Sequence, residues 1–155
     1  MQEHCEICRR IALCQAGANQ YLVTEVDSGY VVLGDSQFFE GYCLLLCKEK
    51  VNNLNQLTPI KRIAFLADVD RVAEAIQRVT GCERVNYELL GNTHHHLHWH
   101  LFPRRLSDPL PHKPVWVQAP TGARLKRYSY SDEKHLALKT SIREEIARIP
   151  AWQPK

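Results

Sequence analysis

Polar and apolar residues alternate strictly along one short stretch of the chain. The polar positions are histidines and the apolar positions are large side chains: His96, Leu97, His98, Trp99, His100 and Leu101. Alternation with a period of two is typical of a β-strand, which sends successive side chains to opposite faces. We therefore predict a strand that places three imidazoles on one face, buries the apolar residues on the other, and stops at Pro103.

Other apolar runs predict the rest of a sheet. Runs at residues 21–26, 30–33, 41–47 and 84–90 have the composition of strands. The turn tripeptides Asp27-Ser28-Gly29 and Gly91-Asn92-Thr93 join neighbouring runs. Because most strands are joined by such short turns, we expect a mainly antiparallel sheet.

A longer hydrophobic period predicts helices. Apolar residues recur at intervals of three and four along one face: Phe65, Val69, Val72, Ile76 and Val79. Thr58-Pro59 begins this long helix and Gly81 ends it. A similar period between Leu138 and Ile149 predicts a C-terminal helix. The expected fold is α+β, with a mainly antiparallel sheet of about five strands, a long helix packed on it and a C-terminal helix.

Composition and charge narrow the function classes. The 155 residues include 20 basic and 17 acidic side chains, a net charge of +3 without long blocks of one sign. This balance suits a small polyanion such as a nucleotide and gives no argument for a nucleic acid polymer as partner. No apolar run approaches the about 20 residues that span a membrane, and the first residues lack a signal-peptide pattern. We expect a cytoplasmic protein whose six cysteines are reduced thiols or metal ligands.

The histidine strand and its flanks resemble the signature of the histidine triad (HIT) superfamily, His-φ-His-φ-His-φ-φ with φ apolar. Residues 96–102 fill this pattern, between the turn Gly91-Asn92-Thr93 and the ending Pro103-Arg104. The segment 86–92 is similar to bacterial members described as diadenosine polyphosphate hydrolases. The resemblance covers roughly residues 3–108. It implies a HIT domain at residues 1–108. The resemblance does not cover residues 109–155, where composition and periodicity predict a Pro-rich extension and a C-terminal helix packed on the same domain.

The resemblance also implies an activity. The family's middle histidine, here His98, forms a covalent nucleotidyl-histidine, so we expect a nucleotide hydrolase that cleaves at the α-phosphate of a dinucleoside polyphosphate or related conjugate. His96 and His100 are expected to bind phosphate oxygens and to assist the leaving group. A homodimer is expected, and no cofactor is required.

Four further residues are candidate substrate contacts. Asn92 and Thr93 can donate hydrogen bonds to a bridging or leaving oxygen, and Asp35 can accept from ribose hydroxyls. Asn86 is the fourth candidate. Asn92, Thr93 and Asp35 are also residue types that are common in turns, so a purely structural role in a turn is the alternative for each.

A possible structural zinc site begins with Cys5-x2-Cys8. Some relatives complete such a pair with the first triad histidine, here His96, and with a histidine whose position is occupied here by Lys50. Tyr42 also replaces the histidine of the family's Gly-His strand. Because lysine is protonated at neutral pH, the set Cys5, Cys8 and His96 lacks its fourth ligand, and zinc stays an open question.

Three alternatives stay open. The same histidine chemistry serves a nucleoside phosphoramidate hydrolase or a nucleotidyltransferase. The chain is alternatively a non-catalytic nucleotide-binding sensor, or a metal protein that uses all three histidines as ligands. Trp116, in the Pro-rich extension, either covers the site or packs against the body of the protein or a partner subunit.

Overall fold

The structure is a computed structural model that describes residues 5–154, in which one antiparallel sheet of five strands forms the centre. The strands are β1 (Leu22–Glu25), β2 (Gly29–Leu33), β3 (Cys43–Cys47), β4 (Arg84–Glu88) and β5 (His98–Arg104). They lie in the order β1-β2-β3-β5-β4. The predicted α+β class and mainly antiparallel sheet are confirmed.

Four helices surround the sheet within the described range. They are α1 (Glu6–Gln15), α2 (Pro59–Thr80), α3 (Val115–Gln118) and α4 (Asp132–Arg148), with 3₁₀ turns at Leu54–Gln56 and Gly122–Tyr128. The long helix α2 begins and ends as predicted, and Gly81 adopts the left-handed conformation with φ of 64° at its C-terminus. None of the helices between residues 5 and 154 is long and apolar enough to cross a membrane.

The histidine strand is shifted relative to the prediction. β5 begins at His98, two residues later than the alternating pattern suggested, and continues through Pro103 to Arg104. The last residue of β5 that pairs with β3 is Leu101, so Pro103 lies beyond the end of β3 and pairs only with β4. A proline is tolerated there because it behaves as a residue of an edge strand, where no partner needs its missing N–H.

The two faces of the sheet pack against different helices. On one face, Leu45 and Leu101 join a core with Phe65 and Ile76 of α2. On the other face, Leu44 and Leu46 pack with Ile7 and Ile11 of α1. His100 lies opposite Leu44 and His98 opposite Leu46 in the sheet register. Since directly paired residues share a face, the histidines lie on the α1 side.

The C-terminal extension contacts both faces of this body. Ile142 and Ile146 of α4 are buried in the core beside α2, and the Arg71 guanidinium of α2 donates to the carbonyls of Ile146 and Ile149. Val115 of α3 is fully buried with Phe39 and Phe102. The domain boundary at residue 108 stays a prediction. Residues 1–4 and 155, at the outer ends of the two predicted segments, lie outside the described residues, and so does most of the stretch in which a signal peptide was sought.

We expect the extension to fold cooperatively with the body. Replacing Ile142 by alanine should lower the free energy of unfolding by about 2–5 kcal/mol, because it leaves a cavity between α4 and α2. Leu136→Ala on the same helix is the control, since Leu136 is 51% exposed and should cost little. Denaturant unfolding measures both, and equal effects would show that α4 does not share the core.

Candidate active site

Two histidines of β5 lie side by side at the centre of the site. Their Nε2 atoms are 3.1 Å apart, and the two rings meet edge to face with centroids 4.8 Å apart. His98 is 5% exposed, whereas His100 is partly buried. The alternating pattern brings the two rings to the same face, as the sequence predicts for these two positions.

A backbone carbonyl fixes the proton of His98. The Nδ1 atom of His98 lies 2.6 Å from the carbonyl oxygen of His96. A carbonyl carries no proton, so Nδ1 must be the donor, and the neutral ring then has a bare lone pair on Nε2. Burial and the charges of neighbouring histidines lower the pKa of His98 below its ordinary value. The ring is therefore neutral near pH 7, which is the state that a nucleophile requires.

The side chain of His96 turns away from the other two histidines. Its Nε2 donates to the carbonyl of Cys47 at 2.8 Å, and its Nδ1 faces the sulfurs of Cys5 and Cys8. Because α1 packs on the face that carries His98 and His100, the ring of His96 lies on that side of the sheet as well, although the regular strand begins only at His98. His96 acts on the site through its backbone carbonyl, and its ring does not line the cleft beside His98.

A cleft of about 270 Å³ opens beside the paired histidines. Its walls come from α1, from the segment after β2, and from β3 and β5: Glu6, Ile7, Arg10, Asp35, Ser36, Tyr42, Leu44, His94, His98 and His100. Asp35 is thus brought to the cleft, but both of its carboxylate oxygens accept from the Arg10 guanidinium, at 2.6 and 2.8 Å. No pattern in the sequence pointed to Arg10, because only the packing of α1 on the sheet brings it here.

The other predicted substrate contacts lie elsewhere. Asn92 and Thr93 are exposed and do not line the cleft. His94, which follows them directly in the chain, does line it. The side-chain oxygen of Asn86 accepts from Arg104 at 2.8 Å. Of the four further residues predicted as substrate contacts, the structure brings only Asp35 to the cleft of His98.

Asn86 lines a second and larger cavity of about 670 Å³ between β4, β5 and the extension. Arg104, the buried cation of that cavity, already donates to Asp108, to Asn86 and to three backbone carbonyls. With its donors occupied, it has little capacity for a phosphate. We place the candidate active site at the smaller cleft because His98, the predicted nucleophile, lies there.

Aromatic side chains flank His100 on the side away from His98. The hydroxyl of Tyr42 lies 2.6 Å from Nδ1 of His100, and the Tyr42 ring stacks on Phe102 at 4.1 Å. Trp116 meets His100 edge-on at 6.3 Å and is 53% exposed. The extension thus packs Trp116 against the body of the chain, beside the site. The sequence identified Tyr42 only as a departure from the family pattern, and did not predict its contact with His100.

Cys5, Cys8 and His96 form a candidate metal site. Their three donor atoms lie within 4.8 Å of one another. Since Nε2 of His96 donates to a carbonyl, Nδ1 presents its lone pair to the sulfurs, at 3.3 Å from Cys8 and 3.7 Å from Cys5. Tetrahedral zinc with ordinary bond lengths requires about 3.5 Å between such nitrogen and sulfur atoms. These three residues fit a metal ion, and Lys50, which is exposed, offers it no fourth ligand at neutral pH.

Comparison with known proteins identifies the family. A model of the HIT domain matches residues 16–107, which include His98 and His100. The chain belongs to the histidine triad family. The match begins after α1 and ends before the extension that carries Trp116, so Arg10, Cys5 and Cys8 lie outside it.

Solved structures of HIT proteins share the fold. A histidine triad protein from Marinobacter aquaeolei VT8 aligns with a TM-score of 0.72 and 19% identity over 88% of this chain and 95% of its own. A hypothetical histidine triad nucleotide-binding protein from Sulfolobus tokodaii strain7 gives 0.68 and 18%, over 91% and 93% of the two chains. A Zn-bound histidine triad family protein from Mycobacterium smegmatis gives 0.59 and 19%, over 89% and 91%. No curated protein matched the chain in sequence.

Proposed function

We propose that this HIT protein is a nucleotide hydrolase that cleaves at the α-phosphate of a dinucleoside polyphosphate or related nucleotide conjugate. HIT proteins generally act as nucleotide hydrolases or transferases, although some are non-catalytic. The observation that carries the proposal is the 2.6 Å contact between Nδ1 of His98 and the His96 carbonyl. It gives the buried ring a bare Nε2 beside the cleft, and so a competent nucleophile.

The first step transfers the nucleotide to the enzyme. The lone pair on Nε2 of His98 attacks the α-phosphorus, so a P–N bond forms as the bond to the bridging oxygen breaks. The leaving oxygen takes that electron pair, and the Nε2–H group of His100, 3.1 Å from Nε2 of His98, is the nearest donor of a hydrogen bond to the charge that develops there. The ring of His98 becomes positive in this step, and the His96 carbonyl stabilises that charge through the Nδ1 proton.

The second step releases the nucleotide. A water molecule attacks the same phosphorus, and the P–N bond breaks, so that His98 recovers its lone pair. One proton of the water passes to the solvent and the remaining hydroxyl stays on the nucleoside monophosphate. Two displacements at one histidine replace a single displacement by water, which is the general advantage of covalent catalysis.

The cleft walls suggest where the nucleoside part lies. Ile7 of α1 and Leu44 of β3 offer an apolar surface, and the ion pair of Arg10 with Asp35 lies at the rim. We propose that the nucleoside binds on this α1 side, with Asp35 close enough to accept from ribose hydroxyls. The leaving group then extends past His100 towards Trp116.

Loss of the nucleophile should abolish turnover. We expect His98→Ala to lower kcat for diadenosine polyphosphate by about 10³-fold or more, with the fold and nucleotide binding retained. His95→Ala is the matched control, because His95 is exposed and does not line the cleft. Release of mononucleotide measured by chromatography gives both rates.

The same assay separates the alternatives. Turnover of a nucleoside phosphoramidate but not of the polyphosphate would replace the proposed substrate. Transfer of the nucleotide to an acceptor other than water would indicate a nucleotidyltransferase. Tight binding without turnover by the wild-type protein would indicate a sensor, and normal turnover by His98→Ala would remove the assigned nucleophile.

We also propose that Cys5, Cys8 and His96 hold a structural zinc ion. The support is the spacing of their donor atoms and the proton position on His96. A zinc ion there would tie the start of α1 to the segment before β5, and no catalytic step depends on it. Its fourth ligand would be a water molecule or a group outside the three residues.

Removing one sulfur should remove the metal. Protein purified with zinc should contain about one zinc per chain, and Cys8→Ser should contain far less and melt at a lower temperature. Cys82→Ser is the control, since Cys82 is buried away from this cluster. Elemental analysis and thermal melting with and without a chelator measure the two effects. Metal-free wild-type protein whose melting ignores both zinc and chelator would contradict the proposal.

We further propose that the chain is a homodimer. β4 lies at the edge of the sheet with a partner on one side only, and Tyr87 and Leu90 beside that edge are 43% and 46% exposed. Unpaired strand edges favour pairing with another chain. Light scattering after size-exclusion chromatography should give twice the chain mass of 17.9 kDa, and the mass of one chain at micromolar concentration would refute a stable dimer.

A further inference from the structure

The contact between His98 and His100 determines which nitrogen of His100 carries the proton. A hydrogen bond between Nε2 of His98 and Nε2 of His100, 3.1 Å apart, needs one donor and one acceptor. His98 already donates from Nδ1 to the His96 carbonyl, so its neutral ring can only accept at Nε2. His100 must therefore carry its proton on Nε2.

The other nitrogen of His100 then needs a donor, and the phenol of Tyr42 supplies it. A neutral imidazole that is protonated on Nε2 has a bare Nδ1, and this atom lies 2.6 Å from the Tyr42 hydroxyl. Burial raises the pKa of Tyr42 above its ordinary value, so the hydroxyl keeps its proton. The hydrogen bonds run in one direction, from Tyr42 to His100 and from His100 to His98, whose own Nδ1 proton points to the backbone.

We propose that Tyr42 is a positioning residue that donates to Nδ1 of His100 and thereby holds the proton of His100 on Nε2, facing the nucleophile. The catalytic part of this inference rests on the proposed function. On substrate binding the Nε2–H group of His100 can donate a hydrogen bond to the leaving oxygen, while His100 itself stays a neutral ring rather than an imidazolium.

The opposite direction of proton donation is disfavoured. It would require His98 to be protonated on both nitrogens, which places a positive charge on a buried ring beside two other histidines. Burial, with a smaller contribution from His98, lowers the pKa of His100 to about 4, so a second positive ring beside it is unfavourable. A charged His98 would also have no lone pair with which to attack phosphorus.

The surrounding packing holds the Tyr42 ring in place. The ring stacks on Phe102 at 4.1 Å, with an angle of 14° between the planes. On its other side lies Gly34, where a Cβ would stand only 2.0 Å from Cδ1 of Tyr42. Glycine at position 34 thus leaves the space that the tyrosine ring occupies, and the ring has little freedom to rotate away from His100.

The test replaces only the hydroxyl. Tyr42→Phe keeps the stacking on Phe102 and removes the donor to Nδ1 of His100. Long-range ¹H–¹⁵N spectra of protein with labelled histidine report which nitrogen carries the proton. We expect wild-type His100 to be protonated on Nε2, and Tyr42→Phe to shift it towards a mixture of tautomers. We also expect kcat to fall about tenfold with KM nearly unchanged, the effect of one lost hydrogen bond.

A second tyrosine provides the control. Tyr130→Phe also removes one hydroxyl, which bonds to Asp132 on the α2 side of the sheet, and should leave both the His100 spectrum and kcat unchanged. A wild-type His100 that is protonated on Nδ1 or on both nitrogens overturns the proposal, even if no variant folds. An unchanged tautomer or an unchanged kcat in Tyr42→Phe also overturns the positioning role.

The two proposals fail in different ways. If the protein proves not to hydrolyse nucleotides, the proton positions on His98 and His100 can still be read from the spectra. If the spectra contradict the assignment while turnover persists, the hydrolase proposal stands and the role of Tyr42 is lost.

Discussion

One short hydrogen bond determines the chemistry of this site. The carbonyl of His96 can only accept, so it fixes the proton of His98 on Nδ1 and leaves Nε2 as the single free lone pair of the ring. That nitrogen in turn can only accept from His100, and His100 can only accept from Tyr42. The direction of every hydrogen bond in the series follows from the one group in it that has no proton to give.

His96 links this series to the thiol cluster. Its backbone carbonyl orients the nucleophile, while its ring lies between the carbonyl of Cys47 on β3 and the sulfurs at the start of α1. A metal ion on those sulfurs would stabilise the position of His96 and, through its backbone, that of His98. The candidate metal site and the candidate active site thus share one residue, His96, the first through its ring and the second through its backbone carbonyl.

The features that could be predicted from the sequence are those that the local period of polar and apolar residues determines. The alternation of residue types gave the common face of His98 and His100, and the longer period gave the buried face of α2 from Phe65 to Ile76. The alternation did not predict that His96 lies before the first residue of β5 and outside the walls of the cleft. Local patterns could not predict the roles of Arg10 and Tyr42, because these depend on long-range contacts. Arg10 bonds to Asp35, 25 residues away, and Tyr42 bonds to His100, 58 residues away. Asn86 was expected at the substrate, but the buried Arg104 takes its oxygen.

The identity of the attacking nitrogen tests this account most directly. The protein would be mixed rapidly with a dinucleoside polyphosphate and quenched in base, where a phosphorus–nitrogen bond survives. Mass spectrometry would then locate the nucleotide, and ³¹P spectra would distinguish the two ring nitrogens. We predict a nucleotidyl group on Nε2 of His98. A nucleotide on Nδ1, on His100 or on no residue of an enzyme that turns over would contradict it.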